Sequence, residues 1–217
     1  MSAIHSLSKI ANLPEKEVGS QPKILAEAQR NGVPVVLTYI IPKKTLREIA
    51  KANNLAEFVQ ENIRTKTHDP VEKFKTIKAI ESAIVSQKIP EEIAHEIVNT
   101  YHKEFGGQFV DVFPADVKDK ASRKGNVRGD ANLIESILHI WSELATWALQ
   151  QHSNDLSDFV SPAPIVIQHL PHSTTHGIAT SKNPATDNIS QVVIQSNYGA
   201  SHSSNHTLMS DRFVVDV

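Results

Sequence analysis

Ile165-Val166-Ile167-Gln168, His176-Gly177-Ile178-Ala179-Thr180-Ser181-Lys182-Asn183-Pro184-Ala185-Thr186, Gln191-Val192-Val193-Ile194-Gln195-Ser196-Asn197-Tyr198-Gly199 and Ser210-Asp211-Arg212-Phe213-Val214-Val215 follow one another in the last third of the chain. The runs are rich in β-branched residues, and polar segments bearing Ser, Asn, Pro and Gly separate them. The order predicts strand, polar loop, short strand, turn, long strand, glycine-bearing loop and strand.

Toward the N-terminus the apolar spacing changes to a helical period. Ser20 is expected to N-cap a helix, with Pro22 tolerated in its first turn and Gly32 ending it in a left-handed conformation. Val33 to Ile41 is expected to be a buried strand. Thr45 with Glu48 predicts a capping box and a helix to about Ile63. Asp69-Pro70 opens a helix with Val71, Phe74, Ile77, Ile80 and Ile84 on one stripe, and Pro90 opens another with Ile93, Ile97, Tyr101 and Phe105 inward. Phe109 to Phe113 is expected to be a short strand, Lys118 to Gly129 a charged loop, and Asn132 to Gln151 a long helix. Helices come mostly first and strands mostly last, which predicts an α+β chain with an antiparallel-rich C-terminal sheet. The expected division is a helical/β lobe at 1–106 and a second lobe at 107–217.

A chain of 217 residues can bury a substantial core. Its formal net charge of −2 gives no broad pull toward nucleic acid or anionic lipid, so neither is expected as a partner. No apolar run is long enough to span a bilayer, and Met1 to Ile10 lacks the charged and apolar regions of a signal peptide. With no cysteine there is no disulfide, thiolate zinc site or cysteine nucleophile, and a cytoplasmic protein is the expectation.

The strand order, together with Val18-Gly19-Ser20-Gln21, Asn31-Gly32-Val33-Pro34-Val35, Asn126-Val127-Arg128-Gly129 and Trp141-Ser142-Glu143-Leu144, resembles the phosphoenolpyruvate synthase and pyruvate phosphate dikinase family. The likeness is to its N-terminal ATP-binding domain, and it is collinear over nearly the whole chain. It implies an ATP-grasp-like, two-lobe nucleotide-binding fold and an ATP-dependent phosphotransferase, or kinase, lineage. The family's swivelling phosphohistidine segment and its barrel are not found here, so a complete pyruvate-phosphorylating cycle is not expected of this chain alone.

The same likeness implies where the nucleotide site should lie. Gln21 stands where the family carries a phosphate-binding lysine, and Lys23 is the nearby substitute, with a solvated first-turn lysine as the blander reading. Phe113 or Pro114 falls where the family's strand ends in a clamping arginine. Arg123, Lys124 and Arg128 follow as a substitute anion site or as a solvated basic loop. Lys182 keeps the basic position before Asn183-Pro184, and Gln168 marks the strand beside the adenine slot, which Ile165, Ile167 and Leu170 either line or pass by as plain core residues. Gly199 survives from the family's glycine-rich loop, and His202 stands near the loop glutamate. No Asp, Glu, Lys or Arg occurs between Asn188 and Ser210, so the carboxylates that would hold magnesium with ATP are missing from this strand and loop. Nucleotide binding with weak or lost catalysis, a pseudoenzyme, is the leading expectation.

Two alternatives stand beside it. One is a non-catalytic interaction or regulatory module, forming a homo-oligomer or docking on a full-length relative, with Arg212 to Val217 as an exposed edge strand. The other is a metal-binding protein. His172 with His176, and His202 with His206, are two His-x3-His pairs that could bind zinc, although both sit in polar segments where solvated histidines are the commoner outcome.

Overall fold

The computed structural model describes residues 2–64, 69–116, 123–151, 153, 155–171, 173–198 and 210–217. The chain divides into two compact units, Met1–Leu170 and Pro171–Val217. The boundary expected at 106/107 lies inside the first unit, just after its seventh helix.

The first unit opens with β1 (His5–Ser6), α1 (Leu7–Ile10), α2 (Glu15–Val18), α3 (Ser20–Arg30), β2 (Thr38–Ile41), α4 (Lys43–Ala52) and α5 (Leu55–Arg64). It continues with α6 (Pro70–Val85), α7 (Glu91–Phe105), β3 (Val110–Pro114), β4 (Lys124–Val127), α8 (Asp130–Gln150), α9 (Ser157–Val160) and β5 (Ile165–His169). Its sheet runs β1-β2-β5-β3-β4, with every neighbouring pair antiparallel. The central strand β5 buries Ile165, Val166 and Ile167 in succession, which a strand covered on both faces requires. Helix α8 covers the sheet with Leu133, Ile137, Ile140, Trp141, Leu144, Ala145 and Ala148, an i, i+3, i+4 stripe that packs on α6, β3 and β4.

The second unit holds β6 (Thr175–Thr180), β7 (Gln191–Tyr198) and β8 (Asp211–Asp216), an antiparallel sheet in that order. The strands expected around 165–168, 176–180, 191–198 and 210–215 are therefore all present. Helices and antiparallel strands together make this an α+β chain. Among the described residues no helix is long and apolar enough to cross a membrane.

Several boundaries differ from the sequence expectation, each for a local reason. Strand β2 begins at Thr38, because Val33, Val36 and Leu37 are exposed and pairing with β5 starts only at Thr38. The expected helix from Thr45 to Ile63 is two helices, broken at Asn53 and Asn54, where Asn54 takes a left-handed φ of 52°. Thr45 is no cap; it lies inside α4, and its hydroxyl donates to the Ala3 carbonyl at 2.9 Å. The α6 stripe is buried only at Ile80 and Ile84. Residues 124–127 of the expected charged loop form β4.

Candidate functional site

The first turn of α3 carries the most constrained geometry near the expected nucleotide site. Gly19 is its N-cap, not Ser20, and has φ 90°. A Cβ there would meet Ala115 Cβ at 2.7 Å and Asp116 Oδ2 at 2.8 Å, so both the conformation and the space demand glycine. The turn exposes the N–H groups that open every helix without an intrahelical partner. Here they are taken by a side chain from the end of β3. Asp116 accepts from Ser20 N at 2.5 Å, Ser20 Oγ at 2.8 Å and Gln21 N at 2.7 Å. A carboxylate at a helix N-terminus gains from both hydrogen bonding and the helix dipole. Asp116 itself holds φ 62°, a left-handed conformation that Asp tolerates better than most residues.

The α3 turn is thus an oxyanion seat filled from within the chain. Sequence reasoning passed over Asp116. The signal was the coincidence of an acid just after β3 with the absence of a lysine at Gln21, and neither residue alone calls for comment.

The other expected residues are dispersed. Gln21 contributes its backbone N–H to Asp116. Lys23 is not a freely solvated first-turn lysine, because its Nζ donates to the Ala11 carbonyl at 2.8 Å. Gln168 is half-buried and its amide donates to Thr38 Oγ1 at 3.0 Å, across the β2–β5 pairing. Ile165 and Ile167 are fully buried in the main core, so they form no slot; the plain core alternative holds for them. In the second unit, Lys182 pairs with Asp187. Its neighbour Asn183 is buried and shapes the turn, accepting from Ala185 N at 3.0 Å and donating to Gln191 Oε1 at 2.9 Å.

His172, Gly199, His202 and His206 lie outside the described residues. Their described companion, His176, lies on strand β6 opposite Asn197. Among the described residues no group of three or more His, Asp or Glu is arranged to hold a metal ion.

A family model described as pyruvate phosphate dikinase, AMP/ATP-binding domain, matches residues 9–217. The chain belongs to this family. Among curated proteins, the phosphoenolpyruvate synthase of Aeropyrum pernix is 25% identical over 219 residues, covering 91% of this chain and 26% of that relative. The chain therefore spans about a quarter of the length of the relative it matches.

Proposed function

We propose that the chain is a nucleotide-binding domain of the ATP-grasp-like type, in a phosphotransferase lineage, in which turnover is weak. Family membership supports nucleotide binding. The observation that carries the finer reading is the seating of Asp116 on Ser20 and Gln21. A phosphate entering that turn must displace a carboxylate that already satisfies its donors, and it meets that carboxylate's charge on the way. With Gln21 in place of a lysine and Phe113 or Pro114 in place of an arginine, the cation left in this turn is Lys23, whose ammonium is engaged with the Ala11 carbonyl.

Calorimetric titration with ATP, with and without magnesium, tests this. The expected outcome is weak binding that tightens about tenfold in Asp116→Asn, a gain of about 1.4 kcal/mol. Asparagine retains an acceptor for the turn but removes the charge. Absence of binding at millimolar ATP in both proteins defeats nucleotide binding. An unchanged affinity in the variant defeats the internal plug, and rapid multiple-turnover ATP hydrolysis defeats weak catalysis.

A second reading, an interaction module, draws on β8. Among the described residues this strand pairs only with β7, and Phe213, Val214 and Val215 are exposed along it, with Val217 exposed just beyond its end. An outer strand of this kind accepts a further strand from a partner or a second copy. Light scattering across a concentration series should then show self-association that Val214→Lys abolishes; a monomer at every concentration removes the homo-oligomer.

A further inference from the structure

Strand β4 is an outer strand of the first unit's sheet, and a cleft of about 400 Å³ opens between it and the first half of α8. That volume lies within the usual range for small-ligand sites. One wall is a single helical face, because Asn132, Glu135, Ser136 and His139 recur at i, i+3, i+4 and i+7. The other wall is β4 and its ends, which bring Arg123, Lys124 and Arg128 to the same cleft.

Each of these three cations is anchored. Arg123 pairs with the buried carboxylate of Asp111, and its guanidinium lies 4.8 Å from the Phe113 ring centroid. Lys124 Nζ reaches Glu143 Oε1. The Arg128 guanidinium lies 5.3 Å from the Phe109 ring centroid. Anchoring removes much of the side-chain entropy that a solvated lysine or arginine loses on gripping a ligand. It also leaves donors available, since a guanidinium carries five N–H groups and an ammonium three. Asp111 and Glu143 offset two of the positive charges, so an anion here is held by directed N–H groups more than by field strength.

The lining also constrains the remainder of the ligand. Among the described residues Val127 is its only sizeable apolar side chain, and its one ring is the His139 imidazole, hydrogen-bonded at its edge to Glu135. Glu135 is its only carboxylate among the described residues; it sits 3.3 Å from His139 Nε2, a hydrogen-bonding arrangement suited to hydroxyl groups. Asn132 donates to the Arg128 carbonyl at 2.8 Å and retains its own amide oxygen as an acceptor.

We propose that the cleft between β4 and α8 binds a phosphorylated, hydroxyl-rich small molecule of the sugar-phosphate class. Arg123, Lys124 and Arg128 hold the phosphoryl oxygens, and Asn132, Glu135 and Ser136 hold the hydroxyls. The proposal is independent of nucleotide binding at the α3 turn, and its test separates the two.

The purified chain is titrated at constant ionic strength with glucose 6-phosphate, inorganic phosphate, glucose and sulfate, and amide and His139 ring resonances are followed by nuclear magnetic resonance. Saturable shifts are expected at Gly125, Asn126, Ser136 and His139 with glucose 6-phosphate. They should appear with inorganic phosphate only at concentrations about tenfold higher, a difference of about 1.4 kcal/mol. Glucose alone should give none. Arg128→Gln should weaken both phosphate compounds, whereas Glu135→Gln should weaken glucose 6-phosphate and spare inorganic phosphate. Two separate exposed-residue variants keep the test sound if one of them loses stability. No saturable shift with either phosphate compound overturns the site, as does an equal response to sulfate. Equal affinity for phosphate and glucose 6-phosphate overturns the ligand class. Shifts confined to Ser20 and Gln21 assign the anion to the α3 turn and overturn the cleft.

Discussion

At the scale of single residues, Asp116 does two jobs with opposite consequences. It satisfies the opening donors of α3, and it occupies the place where an external oxyanion would gain most. Asp116→Ala should therefore destabilise the protein by about 1–3 kcal/mol, the cost of leaving cap donors unpaired. Urea denaturation gives that number, and the same variant should bind ATP more tightly than wild type. A variant that loses stability without gaining affinity would mean that the carboxylate is a cap and nothing more. Tyr39 offers a second residue-scale test. Burial, and then its hydrogen bond to Glu104, pushes its hydroxyl up to about 12. The folded value lies above the unfolded one, so the neutral phenol favours the folded state in full below about pH 10, and that contribution is lost as pH rises from about 10 to about 12. Tyr39→Phe should flatten the alkaline fall in thermal midpoint across that window. An identical pH profile in the variant would assign the fall to other groups.

At the scale of elements, helix α6 separates a hydrophobic pattern from a hydrophobic contact. Its stripe reads as one continuous face, yet Ile80 and Ile84 are fully buried while Val71 and Phe74 are about 60% exposed. Ile84→Ala should cost about 2–4 kcal/mol through lost burial and a cavity. Phe74→Ser should stay within about 0.5 kcal/mol, as exposed substitutions do. Chemical denaturation of the two variants decides it; equal losses would mean that the N-terminal half of α6 is covered. The same helix shows what was legible in the sequence. Asp69 caps it through Val71 N at 2.8 Å, as Asp-Pro predicts, because that signal is local. The extent of the buried stripe was not legible, because it depends on where α8 lies. Likewise β5, β7 and α8 follow from their own periodicity, whereas β4, only four residues long, shows no period and is fixed by pairing with β3. The candidate site was legible only in outline. Gln21 marked the α3 turn, but its occupation by Asp116 joins residues 95 positions apart in the chain.

At the scale of the whole molecule, the two units differ sharply in how much they bury. The first unit holds a continuous core from Ile4 to Ile167, together with a smaller cluster around Leu7, Ile10 and Val18. In the second unit, the buried side chains among the described residues are Val193 and Asn183. A three-stranded sheet draws its stability from an apolar face packed against something, and burying one valine contributes only about 1.5–3 kcal/mol. Backbone hydrogen bonds on β6–β8 should therefore open at far lower free energy than those of β5 and β3. Native-state hydrogen exchange measures this directly. Amides of Val166 and Val112 should exchange only through global unfolding, with a denaturant dependence equal to the equilibrium value. Amides of Val193 and Ile194 should exchange through local opening that depends little on denaturant. Adding ATP should slow exchange at Ser20 and Gln21 if the nucleotide replaces Asp116 on the α3 turn, whereas glucose 6-phosphate should slow it at Asn126. Equal protection across both sheets in the free protein would contradict the burial difference on which this expectation stands, because a sheet that opens only with the main core must share that core's cooperative unit.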